Sequence, residues 1–173
     1  MQPTFTSSRI LLPVRPWFIY FSLFAAAVLN FLPTSHWPGI PDWVALTLCF
    51  WGIREPRRVG MGSAFFLGLL MDVADGSILG QHCFAYVLLA YGASALARRI
   101  LWFPLLQQAL HVLPLLLATQ AIQAVMRLAV GADWPGIGYF VSPLSATLLW
   151  PLLTLVLLLP QYQPVEQNPD RPI

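Results

Sequence analysis

The sequence has very little charge and no lysine. Of its 173 residues, 58% are apolar and 9% are charged, whereas about a quarter of the residues are charged in a soluble domain. All nine basic residues are arginines. The only two cysteines, Cys49 and Cys83, fall inside apolar runs, which favours buried apolar side chains over a disulfide or metal ligands. This composition excludes a soluble domain and predicts an integral membrane protein.

Signals of catalysis and of cofactor binding are also lacking. The sequence contains no phosphate-binding loop, no cysteine–histidine metal spacing and no basic nucleic-acid patch. Ser77 lies near His82, but no nucleophile elbow surrounds it. Asp72 and Asp133 lack the flanking residues of a membrane aspartyl protease, and His111 is typical of an interhelical hydrogen bond. We therefore predict that the protein is not an enzyme and binds no metal or cofactor.

Six apolar segments follow one another along the chain, which predicts an all-α bundle of six transmembrane helices. Helices are favoured because an open sheet edge in lipid would leave backbone groups unsatisfied, and the runs are too long and uniform for barrel strands. We predict one transmembrane domain over residues 1–160 and a disordered cytoplasmic tail over 161–173, which has few apolar residues. The predicted spans are about 17–32, 42–55, 59–74, 79–97, 104–130 and 139–160.

The connections between these segments alternate in charge. Arginines precede segment one and follow segments two, four and six, whereas the turns after segments one, three and five contain none. Because arginine-rich connections stay on the cytoplasmic side, we predict that both termini are cytoplasmic and that the acidic turns face outward. The arginines that carry this prediction are Arg9, Arg15, Arg54, Arg57, Arg58, Arg98, Arg99 and Arg171.

Segment two is short for a transmembrane span. From Asp42 to Arg54 a helix rises only about 20 Å at about 1.5 Å per residue, which is less than the hydrocarbon thickness of about 30 Å. The helix must continue through the arginines, extend their side chains to the interface, or line an internal cavity from which lipid is excluded. Asp42 follows Pro41 and is predicted to be the N-cap of this helix.

Acids and glycines interrupt the apolar stretch around segments three and four. Gly68, Asp72, Gly76 and Gly80 recur every four residues, which places them on one slanted helix ridge, typical of small-xxx-small packing. We expect Gly68 to let segment three approach a neighbour closely, so that Asp72 is buried against protein. Gly76 and Gly80 would then reverse the chain, so that segment four packs beside segment three.

The buried carboxylate of Asp72 needs a partner, because a charge in a span costs roughly 2.5–3.5 kcal/mol at mid-depth. Arg127 lies at a similar predicted depth near the outer end of segment five, which suggests an Asp72–Arg127 pair. Alternatively, backbone N–H groups of the turn satisfy Asp72, or both side chains reach the interface separately. Because an amide can still hydrogen-bond, we expect Asp72→Asn to be mild.

These residues carry a family resemblance. The stretch "FFLGLLMDVADGSILGQHCFAYVLLAY" (65–91), with "PDW" (41–43) one span earlier and "REPRR" (54–58) between them, resembles MreD, the rod shape-determining membrane protein family of bacteria. The key pattern places glycine, aspartate, glycine and glycine at positions 68, 72, 76 and 80, before an apolar helix that ends in Tyr91. Length, span count and order match over nearly the whole chain, but only the central third is specific.

The resemblance implies a fold similar to the substrate-binding membrane subunits of energy-coupling-factor vitamin transporters, with six helices around a central cavity. It also implies a non-enzymatic scaffold role in the elongation machinery of the bacterial inner membrane. Expected partners are an MreC-like protein with one span and, indirectly, an MreB-like cytoskeleton and a peptidoglycan glycosyltransferase and transpeptidase. The alternative that stays open is a substrate-binding transport subunit for a vitamin-type small molecule.

Overall fold

The computed structural model describes residues 14–32 and 39–161, and all regular structure within these ranges is helical. Each predicted apolar segment contains one α-helix, so the all-α prediction is confirmed. The helices are α1 (Pro16–Asn30), α2 (Trp43–Arg54), α3 (Met61–Ala74), α4 (Gln81–Leu101), α5 (Leu105–Ala129) and α6 (Val141–Leu158). Single 3-10 turns, Ile137–Phe140 and Leu159–Gln161, flank α6.

Three stretches are long and apolar enough to cross a membrane: α4, α5, and the run Ile137–Gln161 that contains α6. The helices α1, α2 and α3 are apolar but have only 15, 12 and 14 residues, so a count of six spans stays a prediction. Of the predicted tail, Gln161 alone is described, and it is buried in the last 3-10 turn. Residues 162–173, like the N-terminal segment that contains Arg9, lie outside the described residues.

Helix α2 occupies the middle of the bundle. Every residue from Val44 to Ile53 is buried, because α2 packs against α1, α4, α5 and α6. Its aromatic side chains pack with α6, and the ring of Phe50 lies 5.0 Å from Trp51 and 5.9 Å from Trp150 between centroids. The helix ends at Arg54 and does not continue through the following arginines. Protein surrounds this short helix and separates it from lipid, so it need not line a cavity.

Consecutive helices alternate in direction, so the bundle has two chemically different ends. At the acidic end, α1, α3 and α5 finish and α2, α4 and α6 begin, and four aspartates lie there: Asp42, Asp72, Asp75 and Asp133. At the opposite, basic end lie Arg15, Arg54, Arg57, Arg58, Arg98 and Arg99. Arg127, in the last turn of α5, is at the acidic end. The predicted charge separation along the chain thus becomes a separation in space.

Candidate functional site

The α3–α4 hairpin is closed by a backbone-to-backbone contact at Gly68. A Cβ atom at this position would lie 2.5 Å from both Cα and N of Cys83 and 2.7 Å from the carbonyl carbon of His82. Such distances leave no room for any side chain. The close approach expected of Gly68 is therefore made with the first turn of α4, and it presses the N-terminus of α4 against α3.

The turn between these helices depends on two glycines. Gly76 has φ +59° and Gly80 has φ +104°, the left-handed region that side chains with a Cβ rarely adopt. Ser77 N–H donates to the carbonyl oxygen of Asp72 at 3.1 Å, which closes the end of α3. The chain thereby reverses within six residues, 75–80, and the N–H groups that open α4 are directed at α3.

Asp72 receives those N–H groups. Its Oδ2 accepts from the N–H of Gly80 at 2.7 Å and of Cys83 at 3.4 Å, and its Oδ1 accepts from the N–H of His82 at 2.8 Å. The first N–H groups of a helix have no partner within it, and the N-cap residue of α4, Gly80, has no side chain to supply one. Asp72 of α3 therefore acts as the missing cap of α4, and it does so at 1% exposure.

His82 completes the surroundings of Asp72. Its Nδ1 lies 2.9 Å from Asp72 Oδ1, and its Nε2 lies 3.8 Å from Asp75 Oδ2. Ser77 Oγ is 3.2 Å from Asp72 Oδ1 and 3.4 Å from the same Nδ1 of His82. In a serine–histidine–aspartate triad the serine and the carboxylate bond to different ring nitrogens. Here both bond to Nδ1, so the cluster has the composition of a triad without its relay geometry.

The hypothesis of an Asp72–Arg127 pair is wrong. Within residues 14–32 and 39–161 no ion pair joins the two side chains, and the carboxylate is occupied by the backbone of α4 and by His82. Similar depth in two helices does not by itself bring side chains together. The alternative, in which N–H groups of the turn satisfy Asp72, describes the structure. Arg127 therefore has no part in this site.

A second cluster surrounds Asp42 at the same end. Asp42 Oδ1 accepts the N–H of Ala45 at 3.0 Å, which is the predicted N-cap of α2. Asn30 in α1 donates its Nδ2 to the same oxygen at 2.9 Å and accepts the N–H of Trp43 at 3.0 Å. The hydroxyl of Tyr86 in α4 donates to Asp42 Oδ2 at 2.7 Å. One carboxylate therefore joins α1, α2 and α4.

The two clusters meet on α4. Tyr86 follows His82 by one helical turn, and their rings are in edge contact with centroids 5.7 Å apart. The acidic end thus contains one continuous polar layer that runs from Asp72 through His82 and Tyr86 to Asp42. None of these side chains is placed to hold a cation, because no group of three or more histidine, cysteine or acidic side chains in the described ranges has metal-binding geometry.

A small polar cavity lies beside this layer, between α2, α5 and α6. Its volume is about 20 Å³, which is close to the space of one water molecule. Two buried atoms at this cavity, Gln120 Oε1 and Gln123 Nε2, have no hydrogen-bond partner in the protein, while Gln123 Oε1 accepts from the hydroxyl of Tyr139 at 2.6 Å. The cavity suits a single ordered water that bonds to the two amides.

Three members of the polar layer are not among the residues singled out from the sequence. In the sequence, His82 stands out only through its closeness to Ser77. Tyr86 and Asn30 are uncharged, so a search for charged residues does not select them. The available signal was the short interval between Asp72 and His82, because a hairpin turn between them must bring the two together. The hydrogen bond between Tyr86 and Asp42 depends on how α4 is rotated about its axis relative to α2, and the spacing of residues in the sequence does not determine this rotation.

Comparisons with known proteins agree with the resemblance seen in the sequence. A family model described as rod shape-determining protein MreD matches residues 8–163. A curated protein with the name "Rod shape-determining protein MreD", from Haemophilus influenzae, is 30% identical over 153 residues, which cover 83% of this chain and 91% of that protein. No solved structure matches the chain. The chain belongs to the rod shape-determining protein MreD family.

Proposed function

We propose that this protein is a non-enzymatic subunit of the complex that elongates rod-shaped bacteria, located in the inner membrane. In that complex it organises lateral peptidoglycan synthesis together with an MreC-like membrane protein. Through this partner it is linked to an MreB-like cytoskeleton and to the wall-building glycosyltransferase and transpeptidase. Family membership supports a role in rod shape, and the partners follow from the family resemblance.

One structural observation favours a scaffold over a catalyst. The two hydrogen-bonded carboxylates of the acidic end, buried Asp72 and half-buried Asp42, are both occupied by groups of their own chain. A carboxylate that acts as general acid or base must have an oxygen within hydrogen-bond reach of a substrate. Carboxylates that instead cap helices and join three of them maintain the shape of a bundle. This use of charge suits a protein whose task is to present surfaces to partners.

The proposed topology has six spans with both termini in the cytoplasm. It is supported by the six described arginines at the basic end and the four aspartates at the opposite end. Reporter fusions after Arg58, Arg99 and Pro160 are expected to be active in the cytoplasm, and fusions after Gly39, Ser77 and Gly136 in the periplasm. A C-terminus that reports from the periplasm would contradict this topology.

The alternative, a vitamin-type transport subunit, needs a pocket of suitable size. Pockets for small molecules have volumes of roughly 300–1,000 Å³, whereas the polar cavity beside α2 has about 20 Å³. At the position where such a subunit would hold its ligand, α2 fills the middle of the bundle. The cavity in the bundle accommodates water and not a vitamin, and the larger space of about 650 Å³ is an open groove at the basic end, outside the middle of the bundle. The geometry therefore favours the scaffold.

Depletion of the protein in its native rod-shaped host tests the proposal. We expect cells to become round, while vitamin uptake is unchanged, and we expect a plasmid copy of the wild-type chain to restore rods. Native complexes purified through a tag on this chain should contain the MreC-like partner. A clean deletion that leaves rods intact would refute the role in cell shape. Restored shape without the MreC-like partner in the complex would refute the partner alone.

A further inference from the structure

A groove opens at the basic end, beside the loop that connects α4 to α5. It has a volume of about 650 Å³, and Leu96, Ile100 and Phe103 contribute its apolar wall. The ring of Phe103 stacks on His111, with centroids 4.6 Å apart and planes at 16°, and Gln108 Nε2 donates to the Phe103 carbonyl at 2.8 Å. Both contacts hold Phe103 against the first turns of α5, so this wall of the groove is preformed.

The charged residues on the rim of the groove are all arginines. Arg98 and Arg99 line it, both side chains are exposed, and no acidic residue contributes to its lining. Across the part of the chain that the structure describes, neither arginine takes part in an ion pair. Two adjacent guanidinium groups without a carboxylate are suited to a phosphate, which they can bind through paired N–H donors.

Trp102 shows at which depth this rim lies. It is the C-cap of α4, three residues after Arg99, and it is 91% exposed. An exposed tryptophan at the end of an apolar helix is typical of the boundary between lipid tails and headgroups. Arg98 and Arg99 lie about one turn before Trp102, so their long side chains reach headgroup level by extending along the helix toward its end. Leu96, which precedes them and is partly exposed, continues the apolar wall toward the lipid tails.

The geometry points to a binding site for one anionic phospholipid of the phosphatidylglycerol type, with its phosphate on Arg98 and Arg99 and an acyl chain along the apolar wall. A cationic rim over an apolar wall matches both parts of such a lipid. A soluble anion would use only the rim, and a zwitterionic lipid would carry its own cation to the two arginines. The inference does not depend on the role in cell shape, since it concerns the purified protein and lipid.

Arg57 provides the matched control. It is exposed at the same basic end, but it lies in the turn before α3 and does not line the groove. If these arginines served only to orient the chain in the membrane, Arg57 would be equivalent to Arg98 and Arg99. A bound lipid makes them different, because only the two groove arginines would contact its phosphate.

Native mass spectrometry of the full chain in detergent tests the site. The probes are phosphatidylglycerol and phosphatidylcholine with identical acyl chains, each titrated into wild type, R98Q/R99Q, R98K/R99K and R57Q. We expect wild type to bind one phosphatidylglycerol about 10-fold more tightly than phosphatidylcholine. This preference should be lost in R98Q/R99Q, weakened in R98K/R99K, which keeps the charge without the paired donors, and retained in R57Q.

Three results would overturn the site. The first is equal binding of the two lipids to the wild type. The second is an equal loss of preference in R57Q, which would show general attraction to a basic surface. The third is displacement of the lipid by excess inorganic phosphate, which would show a soluble-anion site. An unchanged elution volume of R98Q/R99Q in size-exclusion chromatography establishes that this variant is folded, and R98K/R99K reports on the site independently.

Discussion

The acidic and basic ends of the bundle use their charges in opposite ways. At the acidic end, Asp72 and Asp42 are buried or half-buried and bond to N–H and O–H groups of their own chain. At the basic end, Arg98 and Arg99 are exposed. Arg58 donates to the carbonyl oxygen of Val14 at 2.6 Å, and its 3.9 Å contact with Glu55 is an exposed pair of the kind that contributes little. These two acids thus stabilise the fold, whereas Arg98 and Arg99 are available to the surroundings.

The strongest test of this contrast removes the Asp72 carboxylate. Asp72→Leu leaves three N–H groups and His82 Nδ1 without an acceptor, and we expect a loss of about 3–5 kcal/mol in the free energy of unfolding. The structure also revises the expectation for Asp72→Asn. Both oxygens accept N–H groups, so the amide nitrogen must face a donor, and we expect a loss of about 1.5–3 kcal/mol.

Unfolding by SDS in mixed micelles measures these losses, with Asp133→Asn as the control, because Asp133 is an exposed acid at the same end. That variant should stay within about 0.5 kcal/mol of wild type. If Asp72→Asn were equally neutral, Asp72 would not be the cap of α4.

Gly68→Ala tests the hairpin contact on which the acidic end depends. The added methyl group meets backbone atoms of Cys83 at 2.5 Å, which cannot move aside as a flexible side chain would, and we expect a loss of about 1–3 kcal/mol. Gly62→Ala, in the same helix with no atom within 4 Å of the added Cβ, should be neutral or stabilising. Equal effects of the two substitutions, measured by the same SDS titration, would refute close packing at Gly68.

A smaller effect is expected from Tyr86→Phe, which removes the hydroxyl that donates to Asp42 at 2.7 Å. The ring and its contact with His82 remain, so the loss should be about 1–2 kcal/mol in the free energy of unfolding. Tyr91→Phe is the control, since Tyr91 lies on the same helix and is exposed. A neutral Tyr86→Phe would mean that α4 is not joined to the N-terminus of α2 through this bond.

The smallest expected effect is the coupling between Asp72 and Arg127. Because the two side chains are not paired, the effects of Asp72→Leu and Arg127→Leu should add within about 0.5 kcal/mol in a double-mutant cycle. Protein level and cell shape in the depleted host give a second readout of the same cycle. If the double variant recovered stability lost in the single variants, the two residues would interact and the structural assignment would be wrong.

The number and type of helices could be predicted from the sequence because apolar runs separated by turns leave few options in lipid. The predicted segment 42–55 agrees with α2, and Asp42 is its N-cap, since capping is a local property of the chain. The central position of α2 could not be predicted, because it depends on which helices surround it. The partner of Asp72 could not be predicted either, because it also depends on how the helices pack. Opposite charge favours Arg127, whereas the donors in the structure are neutral N–H groups.

The complete burial of α2 has a further consequence for hydrophobic mismatch. A helix of 12 residues that faces lipid would force the bilayer to thin around it or would have to recruit flanking residues, at a cost for each ångström of mismatch. Since protein encloses Val44 to Ile53, we expect changes in membrane thickness to be met by tilting of the outer helices. The polar layer anchored on the start of α2 should therefore keep its geometry in bilayers of different composition.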